Sequence, residues 1–178
     1  MKEVVLVTGG CRSGKSNFAL DLANTRYNGK KYFFATCVPA DEEMHDRVRR
    51  HQQDRGNDWQ TVECPVDIAG ALAQVDDDAG VVLIDCLTLW VTNLLETANT
   101  QDAMAAQADI LCRAITEAPC SVIMVTNEVG CGIVPENSLA RMFRDFVGLV
   151  NQRMSACSDR VVWMVAGNPV MVKGDPAC

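Results

Sequence analysis

Histidine and basic charge are scarce in this 178-residue sequence, which contains 2 histidines and 16 Lys and Arg against 23 Asp and Glu. The formal net charge is −7. Sequence-independent binding of nucleic acid depends on neutralising phosphates with Lys and Arg. The charge balance therefore argues against a nucleic-acid-binding protein. Net charge does not reveal a local basic patch, which could still bind nucleic acid.

Zinc-ligand spacing is also absent. The 9 cysteines, an odd number, include no Cys-x-x-Cys pair and form no zinc-like cluster with histidine, so neither a disulfide scaffold nor a zinc site is expected. We therefore expect reduced thiols and a cytoplasmic protein. No apolar run reaches the ~18 residues that a transmembrane helix needs. The apolar run at residues 4–7 is too short for the core of a signal peptide.

Short apolar runs alternate with helical patterns along the chain. The apolar runs predict buried strands at residues 4–7, 31–35, 80–85, 121–126 and 160–166. The helical patterns lie at residues 15–25, 41–55, 101–117 and 138–156. This alternation is typical of an α/β fold with a mostly parallel sheet and helices on both faces. At this length we expect one domain, residues 1–178, with a loose tail at residues 174–178.

The strongest local pattern is a glycine-rich segment between the first strand and the first helix. It fits G-x-x-x-x-G-K-[ST] in full, the phosphate loop of nucleotide-binding proteins. Its glycines let backbone N–H groups surround phosphate oxygens, and the helix N-terminus adds partial positive charge. We expect Lys15 to reach the β and γ phosphates and Ser16 to bind Mg²⁺. The segment consists of Gly9, Gly10, Cys11, Arg12, Ser13, Gly14, Lys15 and Ser16.

A carboxylate, Asp85, ends the predicted strand at residues 80–85. Ligands bind parallel sheets at the carboxyl ends of the strands, so Asp85 is expected beside the phosphate loop. There it can hold Mg²⁺ through water, and capping of a turn is the alternative interpretation. Many kinases and ATPases share a phosphate loop, which does not by itself define the reaction.

Both histidines lie on the predicted helix at residues 41–55. Helical spacing places His51 on one face with Val48 and Arg55. His45 falls instead on a polar face, so His51 is the one expected to point toward the protein body. A neutral imidazole flanked by arginines could attack a phosphorus centre. On spacing alone, a partly buried structural histidine is the alternative.

Longer segments place these residues in a wider pattern. They read TGGCRSGKS, DEEMHDRVRRHQQDR, DWQTVE, LIDCLTLWVTNLL, TNEVGCGIVPEN, RMFRDFVGLVNQR and AGNPVMVK, and they run from Val4 to about Lys173. In this order they resemble the bifunctional adenosylcobinamide kinase / adenosylcobinamide-phosphate guanylyltransferase family of cobalamin biosynthesis. The set is far more specific than a phosphate loop alone.

The resemblance implies two reactions. A kinase step with ATP or GTP phosphorylates adenosylcobinamide, and a transferase step then moves GMP from GTP onto that phosphate through a covalent guanylyl-histidine at His51. The resemblance also implies a RecA-like P-loop fold and a homotrimer. Beyond the phosphate loop, it assigns nucleotide contacts to Ala35, Thr36, Cys37, Gln52, Gln53, Asp54, Arg55, Glu63 and Asp85.

Two other functions stay open, a small-molecule kinase without a transferase step and a RecA-like ATPase acting on DNA. The acidic net charge disfavours the second. Cys11 and Cys37 stand where the family has other small residues, which leaves a loop that works through its backbone intact. Trp90 is interpreted as a core residue rather than a corrinoid platform. Glu128 has no assigned role beyond stabilising its own loop.

Overall fold

The computed structural model describes residues 2–38, 42 and 58–174. The described strands are β1 (Val4–Gly9), β2 (Lys30–Ala35), β3 (Trp59–Glu63), β4 (Ala79–Asp85), β5 (Ser121–Val125), β6 (Arg160–Val165) and β7 (Asn168–Lys173). The described helices are α1 (Lys15–Arg26), α2 (Ile68–Leu72), α3 (Leu87–Leu94), α4 (Gln101–Glu117) and α5 (Ser138–Cys157).

A seven-stranded sheet joins the strands in the order β3-β2-β4-β5-β1-β6-β7. Neighbouring strands are parallel except β6 and β7, which pair antiparallel. The first strand of the chain thus lies inside the sheet, where Leu6 is in register with Met124 of β5 and Val161 of β6. Strands buried on both faces need apolar side chains at successive positions, which is why β1, β4 and β5 read as unbroken apolar runs.

The pleat of β1 divides the apolar core into two layers. Val4 and Leu6 belong to the layer that α2, α3, α4 and α5 cover, whereas Val5 and Val7 belong to the layer that α1 covers. The sheet is therefore enclosed from both sides, with several helices on one face and α1 on the other.

Side-chain caps fix where three of the helices begin. Asp67, Thr100 and Asn137 precede α2, α4 and α5, and each accepts a hydrogen bond from the N–H three residues later, at 2.8, 3.2 and 3.0 Å. Each side-chain oxygen thereby satisfies an N–H that the first helical turn leaves without a partner in the helix.

The predicted α/β architecture is confirmed, and α4 has the predicted bounds. The last predicted strand is confirmed to within one residue as β6, and a turn after Val165 leads into the antiparallel β7, which was not predicted. Nor were β3, α2 and α3 predicted. The predicted helix at residues 41–55 lies outside the described residues except for Glu42, as do residues 175–178 of the predicted tail.

Among the helices in the described part of the chain, none has both the length and the apolar character needed to cross a membrane.

Candidate active site at the carboxyl edge of the sheet

Those residues predicted to bind nucleotide that the structure describes gather at one edge of the sheet. The phosphate loop leaves β1 at Gly9, and Asp85 ends β4, Ala35 ends β2 and Glu63 ends β3. All these strands are parallel, so their carboxyl ends lie at a common edge. In sheets of this kind that edge is where ligands bind.

The phosphate loop is shaped by glycines at its two ends. Gly9 has φ 149°, and a Cβ there would lie 2.5 Å from the Met164 carbonyl oxygen of β6. Gly14 has φ 91° and immediately precedes α1. Both conformations favour glycine, and the first also brings loop and β6 closer than any side chain allows. The loop therefore makes a tight turn between the end of β1 and the start of α1.

Backbone hydrogen bonds hold the loop closed. Ser13 N donates to Gly10 O at 3.3 Å, and Gly167 N, in the turn between β6 and β7, donates to Ser13 O at 3.1 Å. Arg12, between these contacts, has φ 53°, a left-handed conformation that is uncommon for a residue with a side chain. The β6–β7 turn thus supports the loop from outside.

Lys15 lies folded over this loop. Its side chain is only 7% exposed, and Nζ donates to Gly10 O at 2.6 Å and to Ser13 Oγ at 3.4 Å. An ammonium group held by a carbonyl and a hydroxyl can exchange them for phosphate oxygens at small geometric cost, because phosphate accepts charge-assisted hydrogen bonds. The geometry places a positive charge over the concave side of the loop.

The Ala35-Thr36 turn and Asp85 are held together. Ala35 and Asp85 are in register across β2 and β4, and Thr36 Oγ1 donates to Cys86 O and accepts from Cys86 N, both at 2.8 Å. A cis peptide bond joins Asp85 to Cys86. Burial, aided by the negative charge of Asp85, raises the pKa of the Cys86 thiol to about 11, so the thiol stays protonated. The carboxylate itself is half-buried.

A set of buried hydroxyl and amide groups links the end of β5 to two helices. Thr88 Oγ1, at the start of α3, accepts from Asn127 N at 2.7 Å. Thr126 Oγ1 donates to Asn151 Oδ1 of α5 at 2.8 Å, and Asn151 Nδ2 donates to Asn127 O at 3.1 Å. These residues lie in segments that carry the family resemblance, but no role was predicted for them, because their spacing along the chain does not reveal that they meet.

This linked segment also contacts the phosphate loop. Glu128 N donates to Gly9 O at 2.9 Å. The Glu128 carboxylate accepts from Gly130 N at 2.5 Å, and Arg144 Nη2 of α5 donates to Gly130 O at 2.5 Å. Glu128 therefore stabilises its own loop, the one role that the sequence suggested for it.

The structure also describes four further residues considered from the sequence, namely Trp90, Glu63, Cys11 and Cys37. Trp90 is 2% exposed and its Nε1 donates to Val66 O at 2.7 Å, which makes it a core residue. Glu63 and Cys11 are exposed, and Cys37 is half-buried. The described structure does not extend to His45, His51, Gln52, Gln53, Asp54 and Arg55.

The donor set suits Mg²⁺ better than a transition metal. Ser16 and Asp85, both half-buried, offer a hydroxyl and a carboxylate, the oxygen ligands that Mg²⁺ prefers. Within residues 2–38, 42 and 58–174, no group of three or more His, Cys, Asp or Glu side chains could hold a metal ion. Mg²⁺ does not require such a cage, because it usually keeps several waters and shares its remaining ligands with substrate phosphates.

Comparison with known proteins decides among the enzymes that share such a loop. The family profile described as "Cobinamide kinase / cobinamide phosphate guanyltransferase" matches residues 5–172. This chain belongs to that family. The family resemblance drawn from the sequence is therefore confirmed. The chain is a bifunctional transferase of cobalamin biosynthesis.

Curated relatives span nearly the whole chain. The bifunctional adenosylcobalamin biosynthesis protein CobU of Salmonella typhimurium is 40% identical over 184 residues, covering 96% of this chain and 99% of the relative. The protein of the same name from Escherichia coli is 37% identical over 182 residues, covering 96% and 99%. The bifunctional adenosylcobalamin biosynthesis protein CobP of Pseudomonas aeruginosa is 37% identical over 171 residues, covering 96% and 98%.

Solved structures with low identity share the fold. A KaiC-like protein from Pyrococcus horikoshii aligns with a TM-score of 0.52 at 16% identity, covering 98% of this chain and 80% of the other. A second Pyrococcus horikoshii structure aligns with a TM-score of 0.56 at 8% identity, covering 99% and 90%. These similarities confirm the RecA-like P-loop fold and carry no information on the reaction.

Proposed function

We propose that the chain phosphorylates adenosylcobinamide with ATP or GTP and then transfers GMP from GTP to the product, giving adenosylcobinamide-GDP. The supporting observation is the closed phosphate loop with Lys15 folded over it, at the edge of the sheet where Asp85 also lies. The family description names the two reactions. The proposal adds the nucleotides, the adenosylated acceptor and the roles of individual residues.

In the kinase step, the aminopropanol hydroxyl oxygen of the corrinoid attacks the γ-phosphorus. The bond from that phosphorus to the bridging oxygen breaks, the nucleoside diphosphate leaves and the hydroxyl proton is released. Loop N–H groups and Lys15 bind the phosphate oxygens and lower the energy of the charge that develops on the leaving group. Lys15 exchanges its bond to Gly10 O for a bond to phosphate.

In the transferase step, an imidazole nitrogen of His51 attacks the α-phosphorus of GTP and pyrophosphate leaves. A phosphate oxygen of the corrinoid then attacks the same phosphorus, the P–N bond breaks and the imidazole is released. A protonated imidazole is a good leaving group, which makes the phosphoramidate reactive. Family resemblance and helical spacing support His51. They also support nucleotide contacts from the neighbouring Gln52, Gln53, Asp54 and Arg55.

Ser16 and Asp85 are proposed to hold Mg²⁺, Asp85 through water. When bound, the ion neutralises charge on the triphosphate. Ala35, Thr36, Cys37 and Glu63, which follow or end β2 and β3 at the same edge, are proposed to contact the nucleotide.

The family resemblance also supports a homotrimer. Light scattering at working concentration is expected to give the mass of a trimer, about threefold the 19.4 kDa chain. A monomeric mass would remove this part of the proposal.

Residues 1–178 are proposed to form one domain, since one sheet includes strands from Val4 to Lys173. The described cysteines are free thiols, which supports a cytoplasmic location.

Labelled GTP tests the proposal most directly. Incubation with α-labelled GTP alone is expected to leave label on the protein, and addition of phosphorylated adenosylcobinamide should move that label to the corrinoid. With γ-labelled GTP the protein should stay unlabelled, and label should pass to unphosphorylated adenosylcobinamide. A monofunctional kinase would instead give γ-label transfer without any α-label on protein or corrinoid.

A further inference from the structure

Two neighbouring helices, α4 and α5, bring a pair of thiols together. Both helices are distant in sequence from the phosphate loop. Asp109 of α4 and Arg153 of α5 form an ion pair, with Oδ1 and Nη1 3.3 Å apart. About one helical turn further along each helix come Cys112 and Cys157. The ion pair marks a place where the two helices lie side by side, and the two cysteines follow it on both helices.

The thiols make contacts that keep them adjacent. Cys112 Sγ donates to Arg153 O at 3.4 Å, and Cys157 Sγ donates to Met154 O at 3.4 Å. These are consecutive carbonyls of α5. Because each sulfur lies 3.4 Å from one of these neighbouring carbonyl oxygens, the two thiols lie close to each other. Both are half-buried, so a small reagent in solution can reach them.

The surroundings make the two sulfurs chemically unequal. Interaction with the Cys112 side chain lowers the pKa of the Cys157 thiol, and the Lys173 ammonium lowers it further, against the opposing effects of burial and of the Asp159 charge. Lys173 is held at this end of α5 by hydrogen bonds to Ser155 O at 2.9 Å and Ser158 O at 2.6 Å. The same interaction, together with burial, raises the pKa of Cys112. Cys157 is thus the nucleophile of the pair.

Other cysteines are less suited to this chemistry. Burial raises the pKa of the Cys64, Cys86 and Cys120 thiols, which keeps them protonated and unreactive. Cys131 is exposed on the loop between β5 and α5. It can react with a small disulfide, and it provides a comparison for a thiol that lies outside the pair.

We propose that Cys112 and Cys157 are a reversible disulfide-forming pair that reacts with disulfides of small thiols, of which oxidised glutathione is the test reagent. The Cys157 thiolate attacks one sulfur of the reagent, its S–S bond breaks, and one glutathione leaves. Cys112 loses its proton and attacks the Cys157 sulfur, and the second glutathione leaves. Two protein thiols are oxidised and one disulfide is reduced to two thiols, so electrons and protons balance.

The resulting bond would join α4 to the end of α5. α5 also carries Asn151, which holds the segment after β5 beside the phosphate loop. The disulfide therefore restrains a helix that supports the candidate active site.

The test treats the full chain with oxidised glutathione and measures the intact mass of one portion directly; the other portion is alkylated and used for peptide mapping. We expect a population lighter by two hydrogens, about 2 Da, which a reductant restores, and a linked peptide pair containing Cys112 and Cys157. Mapping on the unsubstituted chain does not depend on any variant folding. A link between other cysteines, or no loss of two hydrogens, would overturn the proposal.

Serine variants sharpen the result. Cys112→Ser should lose the internal bond and instead retain glutathione on Cys157, because the second thiol is missing. Cys131→Ser should keep the two-hydrogen loss of the unsubstituted chain. Persistence of the internal link in Cys112→Ser would overturn the proposal as well.

Discussion

The two edges of the sheet use charge in different ways. At the edge where the strands begin, acidic and basic side chains are bonded to each other. At the opposite edge, where the strands end, Lys15 is held by a backbone carbonyl and a hydroxyl. The first arrangement joins acidic to basic side chains, and in the second a cation is bonded to uncharged oxygens that phosphate oxygens can replace.

Glu3 is the centre of the paired edge. Its carboxylate accepts from Tyr27 OH at 2.8 Å and forms ion pairs with Arg26 at 3.3 Å and Arg160 at 3.5 Å. Burial is the main cause that raises the pKa of Tyr27, and the bond to Glu3 adds to it. These contacts join β1, the end of α1 and β6, so their role is to hold elements in place.

A second group lies at the same edge. Lys30 Nζ is 2.8 Å from Asp76 and 3.1 Å from Asp78, and Tyr32 OH donates to Asp76 at 2.8 Å. Because the Lys30, Asp76 and Asp78 side chains are at least half exposed, solvent screens their charges and their net contribution to stability is small. The comparison therefore predicts that substitutions at the carboxyl edge alter activity, whereas substitutions of these exposed charges at the amino edge alter stability slightly.

The largest effect is expected for Lys15→Ala. Both reactions need the triphosphate held and its charge neutralised, so both should fall by roughly 10²–10³-fold or more in kcat/KM. Initial rates of phosphoryl and GMP transfer provide the measurement. Lys30→Ala is the matched control at the amino edge and should leave both rates unchanged. Near-normal turnover of Lys15→Ala would remove the assigned role.

His51→Ala is expected to affect one reaction only. GMP transfer and the covalent adduct should be abolished, while phosphorylation of adenosylcobinamide should survive in part because the phosphate loop, Lys15 and Asp85 remain. Mass spectrometry after incubation with GTP should find one GMP on the peptide containing His51, labile in acid and comparatively stable in base.

The control for this prediction is the other histidine. His45→Ala should leave both activities close to normal, because the helical phase predicted from the sequence turns His45 away from the proposed site. GMP found on His45 or on a lysine, or full transferase activity in His51→Ala, would contradict the assignment while leaving the phosphate loop in place.

Thr88→Val tests whether the polar links at the carboxyl edge position the loop. The change removes the hydroxyl that accepts from Asn127 N and leaves that N–H without its partner. We expect a loss of roughly 1–3 kcal/mol in the free energy of unfolding, together with a raised KM for GTP. Thr92→Val, on the exposed side of α3, should change stability by only about 0.5 kcal/mol. An unchanged KM in Thr88→Val would restrict the link to a stabilising role.

The smallest effect is expected at Asp76. The hydrogen bond from Lys30, followed by that from Tyr32, lowers the pKa of Asp76 in the folded chain. Its contribution is therefore present above the unfolded carboxyl pKa, ~3.9, and lost as pH falls through the lower folded value. Asp76→Asn should slightly reduce the urea midpoint at neutral pH and flatten its decline in acid. Asp77→Asn, at the neighbouring exposed position, should retain the decline of the unsubstituted chain.

The sequence revealed those parts of the fold in which both faces of a strand are buried. β1, β4 and β5 are unbroken apolar runs, and the phosphate loop has its own pattern. β3 was missed because it lies at the edge of the sheet and is mostly exposed, with Trp59 its buried residue. α3 was missed because a single residue, Cys86, separates it from β4, and no turn signal lies between the two elements.

The candidate site was predictable where a local motif defines it. The positions of Lys15 and Asp85 follow from the loop pattern and from strand direction. The contacts of Thr88, Asn127 and Asn151 depend on three elements meeting in space. No local spacing encodes such a meeting, so sequence reasoning could not find these links.

The position of β1 inside the sheet has a consequence for the timing of synthesis. The strand that begins the chain pairs with residues 122–125 and 160–164, and Gly9 packs against the backbone of Met164. The phosphate loop therefore lacks these supports until the residues of β5 and β6 have been made. Contacts so distant in sequence also form slowly, because a long loop must close first. The residues of the phosphate loop are thus made well before the strands that hold it in its binding conformation.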